Sequence, residues 1–208
     1  MKEFFEKYKS GNNVLFVLSG PSGVGKSTVG ISLINFLGRD KIRRVVTTTT
    51  RPPRAGEVDG VDYFFVSKER FLSKIKDGVF LEYAITNDEY YGSSTSDILS
   101  TLESGIDALL TIDVKGVEQI LKVRDEIPFK IVTIFLFLEN FDELRKRIEN
   151  RGSETEITLR KRLDTAKYEM GKMSMYDFVV KSRTMDDDLQ SLVEIYKKVK
   201  GMNFSLTK

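Results

Sequence analysis

Apolar residues along this chain gather into short unbroken runs, separated by stretches in which they recur every three or four positions. Val14 to Leu18 is one such run, β-branched and aliphatic, ending at Ser19-Gly20. "DALLTIDV" (107–114), "KIVTIFLFL" (130–138) and "DFVVK" (177–181) repeat the pattern. Runs this short and this continuous suit strands buried on both faces, as in a parallel sheet. The intervening stretches have helical spacing: Ile31, Leu33, Ile34 and Leu37 up to Gly38, then 116–123, 140–150, 155–173 and 185–200. The last of these starts with Asp186, Asp187 and Asp188 and ends in lysines, which complements a helix dipole. Strands alternating with helices predict an α/β core, a central parallel sheet flanked by helices.

Residues 47–97 break that rhythm. Four threonines, Pro52-Pro53, several glycines and the strand-like "VDYFFV" and "GVFLEYAI" predict an antiparallel α+β insertion, with a helix around Phe71 to Ile75 and a turn at "YYGSS" (90–94). The first ten residues fit either a disordered extension or a helix on a neighbouring surface.

Composition narrows the chemistry. Lys plus Arg number 33 against 31 Asp plus Glu, a net charge of +2, so no nucleic-acid partner is expected. Cysteine and histidine are both absent, which excludes disulfides, Cys/His zinc sites and every mechanism built on an imidazole or a thiol. The N-terminal "MKEFFEKYKSGNN" has no apolar h-region. No apolar run approaches the length of roughly 20 residues that a membrane helix needs. A soluble cytoplasmic protein without a membrane partner is the expectation, and nothing in the sequence specifies an oligomeric state.

The densest motif is "SGPSGVGKST" (19–28), in which Gly20, Gly25, Lys26 and Ser27 satisfy G-x-x-x-x-G-K-[ST] between a predicted strand and a predicted helix. Such a loop binds a phosphate chain because several backbone N–H groups converge on one concavity at a helix N-terminus. Gly20, Pro21, Ser22, Gly23, Val24, Gly25, Lys26, Ser27 and Thr28 would line it. Lys26 would reach the β- and γ-phosphates, and the Ser27 hydroxyl is placed to ligate Mg²⁺. The motif implies a nucleoside triphosphate and leaves the reaction open. No N/T-K-x-D guanine motif of GTPases occurs, and "LLTID" ends in the single carboxylate of Asp113 where ATPase motors carry adjacent acids. A small-molecule kinase is the leading class.

The acceptor is suggested by "TTTTRPPRAGEVDGVDY" (47–63), where Arg51 and Arg54 flank two prolines on a stiffened chain and could face one anion. With "SGPSGVGKST", "TTRPPRAGEVDGVDYFFVS", "FLEYA", "YYGSS", "IDVKGV" and "RGSETE" followed by "KRL", the chain resembles the guanylate kinase family from about Leu15 to Asp188. The resemblance implies a P-loop NTPase core with a GMP-binding insertion and a helical lid. It divides the chain into a core (11–46, 98–138 and 166–208), a GMP-binding subdomain (47–97) and a lid (139–165). It also implies transfer of the γ-phosphoryl of ATP, with Mg²⁺, to GMP or dGMP, giving ADP and GDP or dGDP, in purine nucleotide metabolism.

By motif position, Arg51, Arg54, Tyr63 and Tyr91 would hold the GMP phosphate, and Thr47, Glu82, Ser93 and Asp113 would surround the guanine. Guanine's N1–H and N2–H₂ donors suit carboxylates at Glu82 and Asp113, while a hydroxyl of Thr47 or Ser93 suits O6. The basic run 145–163 by itself reads as a solvated helix face. The resemblance instead makes Arg147, Arg151 and Arg162 catalytic lid arginines acting with Lys26. Three departures from the family pattern stand out: Thr111 stands where an acidic residue is common, Lys115 where glutamine is frequent, and Ser182-Arg183 where Asn-Asp often lies near the adenine. A rival reading, a non-catalytic guanylate-kinase-like domain that binds phosphopeptides, is disfavoured by the intact Gly25-Lys26-Ser27.

Overall fold

The computed structural model describes residues 5, 11–86, 88–149 and 156–202. In chain order the elements are β1 (Val14–Ser19), α1 (Lys26–Leu37), β2 (Ile42–Arg44), β3 (Thr48–Thr49), β4 (Phe64–Phe65), α2 (Lys68–Lys76), β5 (Phe80–Thr86) and β6 (Glu89–Ser94). There follow α3 (Thr95–Glu103), β7 (Asp107–Thr111), α4 (Val114–Lys122), β8 (Lys130–Phe137), α5 (Phe141–Glu149), α6 (Glu156–Met170), β9 (Phe178–Lys181) and α7 (Met185–Lys200). The central sheet has the order β2-β7-β1-β8-β9, and a second, four-stranded sheet has the order β4-β3-β6-β5. The chain divides into two compact units, one of residues 1–17 and 38–132, the other of 18–37 and 133–208.

In the first unit β2 pairs with β7 in parallel, Ile42 opposite Asp107. The buried Asp107 carboxylate accepts the Val14 N–H at 2.8 Å. A polar residue on a core strand is thus satisfied by backbone rather than left orphaned. The small sheet carries Phe80 against Phe71 of α2, ring centroids 4.6 Å apart and stacked, and both rings are buried. Three helices begin on side-chain caps: Ser67 accepts from Arg70 N, Ser94 from Asp97 N and Asp113 from Gly116 N. Each cap satisfies a backbone donor that the first helical turn leaves unpaired.

In the second unit β8 and β9 run parallel, and Asp177 ties them by accepting both the N–H and the hydroxyl of Thr133, at 2.8 and 3.0 Å. Helix α7 starts with a capping box in which Thr184 and Asp187 satisfy each other's backbone N–H groups. Ser182 donates to Asp188 Oδ2 at 2.7 Å and the Arg183 N–H to Oδ1 at 2.9 Å. Ser182-Arg183, which departs from the family pattern, thus anchors the start of α7.

The predicted α/β architecture is present, with three corrections. "YYGSS" lies in a strand, β6, and not in a turn. The insertion is not wholly antiparallel: β3 and β4 pair in parallel, because the proline-bearing excursion between them returns the chain in its original direction, with the Phe64 N–H on Thr47 O and the Val66 N–H on Thr49 O. The run at 107–114 ends as a strand at Thr111, since Asp113 caps α4. Strand β2 and helix α3 have no counterpart among the elements the sequence predicts.

Candidate active site

The end of β1 and the start of α1 build the glycine loop of the second unit. At Gly20 φ is +140°, and a Cβ there would lie 2.0 Å from the Leu136 carbonyl oxygen. Only glycine lets β1 leave the sheet at this point. The Lys26 ammonium folds back on the loop, donating to the Gly20 carbonyl at 2.5 Å and the Pro21 carbonyl at 3.0 Å. Ser27 and Thr28 are exposed in the first turn of α1. Arg147 of α5 reaches the same loop: its Nη1 donates to Val24 O at 3.4 Å and its Nη2 to Glu143 Oε1 at 2.6 Å. Arg162 is half-buried on α6, and Arg151 lies outside the described residues.

The first unit holds a second group of polar residues. Glu82 of β5 is only 3% exposed, and its Oε1 accepts the hydroxyl of Ser93, its partner on β6, at 2.5 Å. Among the described residues no cation pairs with it. Burial pushes the carboxyl up to about 8; the Ser93 hydrogen bonds oppose the rise and the nearby Asp113 carboxylate adds to it. The other Glu82 oxygen lies where a side chain on Gly116 of α4 would stand, 2.4 Å from the built Cβ position, so the carboxyl fits because residue 116 is glycine. Asp113 Oδ2 accepts the Thr86 hydroxyl at 2.7 Å and its Oδ1 the Gly116 N–H at 2.9 Å. Thr47 is buried and its carbonyl serves the β3–β4 pairing.

On the same sheet, Arg51 places its guanidinium near the rings of Tyr63 and Phe65, 5.4 and 5.7 Å from their centroids, and Tyr63 meets Tyr91 edge-on at 6.1 Å. Arg54 is exposed. The sequence reading missed two neighbours. The Arg44 guanidinium also lies near the Tyr63 ring, 5.6 Å from its centroid, and donates to the Asp62 carbonyl. Glu57 accepts from Arg51 Nη2 at 2.8 Å and from the Arg54 N–H at 2.7 Å. The Glu57 hydrogen bond holds the Arg51 guanidinium above its ordinary value; burial works against it and Tyr91 adds to it. The structure therefore brings Arg51, Tyr63 and Tyr91 together, and separately Glu82, Ser93 and Asp113. Of the departures, Lys115 is exposed and Thr111 half-buried at the end of β7.

A central parallel sheet whose first strand runs through a glycine loop into a helix defines a P-loop α/β fold. Residues 12–199 match the family model described as guanylate kinase. The chain is 43% identical over 186 residues to a guanylate kinase of Oceanobacillus iheyensis, covering 89% of this chain and 85% of that one. It is 44% identical over 167 residues to one of Clostridioides difficile, covering 80% and 78%. Among solved structures, the guanylate kinase of Anaplasma phagocytophilum aligns with a TM-score of 0.73 at 27% identity, over 93% of this chain and 88% of that one. The chain belongs to the guanylate kinase family. Among the described residues no helix is long and apolar enough to cross a membrane.

Proposed function

We propose that this protein transfers the γ-phosphoryl group of ATP to GMP or dGMP, giving ADP and GDP or dGDP, in the purine nucleotide metabolism of the cytoplasm. The observation that carries the acceptor assignment is Glu82, a buried carboxyl without a cation among the described residues, flanked by Ser93 and Asp113. Its ionised form is costly unless a ligand supplies donors, and guanine's N1–H and N2–H₂ are donors. Against that ionised form adenine would set a lone pair at N1, an error of about 1–3 kcal/mol or more.

In this reading residues 47–97 form the GMP-binding subdomain, 139–165 the lid, and 11–46, 98–138 and 166–208 the core. The loop 20–28 holds the triphosphate with its backbone N–H groups, and the Lys26 ammonium exchanges its two carbonyl partners for phosphate oxygens. Arg51, Arg54, Tyr63 and Tyr91 hold the GMP phosphate, while Thr47, Glu82, Ser93 and Asp113 enclose the base. Among the described residues no cluster of three or more acids could hold a metal by itself. The exposed Ser27 hydroxyl suits Mg²⁺, which takes few protein ligands and arrives with the substrate's phosphates. When bound, that ion would neutralise charge on the phosphate oxygens.

An oxygen of the GMP phosphate attacks the γ-phosphorus as the bond to the β-phosphate oxygen of ADP breaks. The nucleophile is already anionic, so no general base is needed, consistent with a chain that has no histidine. What the protein must supply is alignment and positive charge. Lys26 supplies it from the loop, and Arg147, already bonded to the Val24 carbonyl, supplies it from the lid with Arg151 and Arg162. Lid closure over the loop would exclude water and prevent hydrolysis of ATP.

The test is ADP formation from ATP and Mg²⁺ with GMP, dGMP, AMP, CMP, UMP or dTMP offered separately, beside a control without acceptor. Turnover confined to GMP and dGMP supports the assignment. Turnover on another acceptor would overturn the guanine reading, and absence of turnover with every acceptor would overturn the kinase reading.

A further inference from the structure

The loop between β3 and β4 contains one acidic side chain that meets both arginines of the proposed phosphate site and has no part in the phosphoryl transfer itself. Glu57 divides its carboxylate between them. Oε1 accepts from the Arg51 guanidinium at 2.8 Å, Oε2 accepts from the backbone N–H of Arg54 at 2.7 Å, and its own N–H closes a turn on the Arg54 carbonyl at 3.1 Å. The ion pair is mostly shielded, with side-chain exposures of 13% for Arg51 and 19% for Glu57.

The Arg51 guanidinium also lies against the Tyr63 and Phe65 rings, and its Nη1 donates to the Pro52 carbonyl at 2.7 Å. Arginine has five N–H donors in a rigid fork, so the bonds to Glu57 and Pro52 use two and leave others for an anion. The Arg54 guanidinium makes no hydrogen bond to any described residue; Glu57 bonds only to its backbone. One carboxylate thus immobilises the first arginine and fixes the chain at the second without occupying the second's charge. Arginine side chains have much rotamer entropy to lose, and holding one beforehand removes that cost from ligand binding.

We infer that Glu57 is the positioning residue for the acceptor's phosphate, presetting Arg51 and shaping the turn that presents Arg54. The inference rests on the reading of Arg51 and Arg54 as the GMP phosphate site. It assigns Glu57 to the phosphate alone and gives it no share in recognising the base. An acceptor-side ligand that lacks the phosphate should therefore not register its loss.

The experiment compares Glu57→Ala, Glu57→Gln and Arg51→Ala with the unaltered full chain. It measures KM for GMP, KM for ATP, kcat and competitive inhibition by guanosine, which presents the base and ribose without phosphate. In Glu57→Ala we expect KM for GMP to rise about tenfold, the scale of one charge-assisted hydrogen bond. KM for ATP and inhibition by guanosine should stay within about twofold. Glu57→Gln, which keeps an acceptor for Arg51 but turns a donor toward the Arg54 N–H or the reverse, should fall between. An unchanged KM for GMP in Glu57→Ala, while Arg51→Ala raises it, overturns the role of Glu57 and leaves the phosphate site standing. Equal weakening of GMP and guanosine also overturns it, because the carboxylate would then be supporting the acceptor side as a whole. An unchanged KM for GMP in Arg51→Ala removes the phosphate site, and the inference with it.

Discussion

At the glycine loop the surface offered to a ligand is backbone. Gly20 is required by the Leu136 carbonyl, 2.0 Å from where its Cβ would be, and Lys26 rests on two carbonyls of its own loop. On the proposed acceptor side the surface is side chain: a buried carboxyl, a hydroxyl bonded to it and arginines beside aromatic rings. Backbone N–H groups recognise phosphate in any nucleotide, so a loop of this kind selects charge and not the base. Side chains with a fixed donor and acceptor pattern select the base, and they do so by making the wrong one leave a buried group unpaired. Under the proposed function, discrimination among acceptors is therefore concentrated where burial is most costly.

Several changes test that contrast. The largest effect should come from Lys26→Ala, which removes the loop's own charge from the transferring group. Turnover should drop by about 10²–10³-fold or more with GMP and dGMP alike, and the unfolding temperature should stay close to that of the unaltered protein. Loss restricted to GMP would erase the distinction between the two regions. Glu82→Gln should do the opposite, weakening GMP by about 10–100-fold in a binding titration while ATP binding is unchanged.

Proton linkage gives a third test. Free Glu82 holds its proton up to about 8, whereas guanine's donors require the carboxylate. GMP binding below that pH should release a proton, so the association constant should climb by up to about tenfold per pH unit and then level off once the free carboxyl ionises by itself. Calorimetry in buffers of different ionisation enthalpy measures the release. For the free protein the sign is the reverse of an ordinary salt-bridged acid. The folded state keeps a proton that the unfolded chain gives up near 4.5, so Glu82 makes stability decline as pH rises from 4.5 to about 8. The smallest effect should be that of Thr184→Ala, which opens the capping box of α7. It should cost about 1 kcal/mol in denaturant unfolding and leave KM for both substrates unaltered.

The elements legible in the sequence are those whose signals are local. Acidic start, lysine end and periodicity place helix α7 at 185–200, and its limits are Met185 and Lys200. The glycine loop is legible because its spacing is itself the structure. Strand β6 is not, because Gly92 and two serines within "EYYGSS" carry little strand propensity, and it is pairing with β3 and β5 that makes them extended. Asp113 illustrates a mixed case: its motif position marks it as a carboxylate facing the base, and it also caps α4 and accepts from Thr86. Glu57 escapes notice because an acid between prolines and glycines has no periodicity. The available signal is its place three residues after Arg54, within reach of a turn back to that residue's backbone.

The absent side chain at Gly116 has an evolutionary consequence. A single methyl group there would collide with the Glu82 carboxyl, yet it would leave every residue of the glycine loop as it is. Under the proposed function, one codon change would therefore cost a lineage its acceptor base without touching the loop proposed to hold the triphosphate.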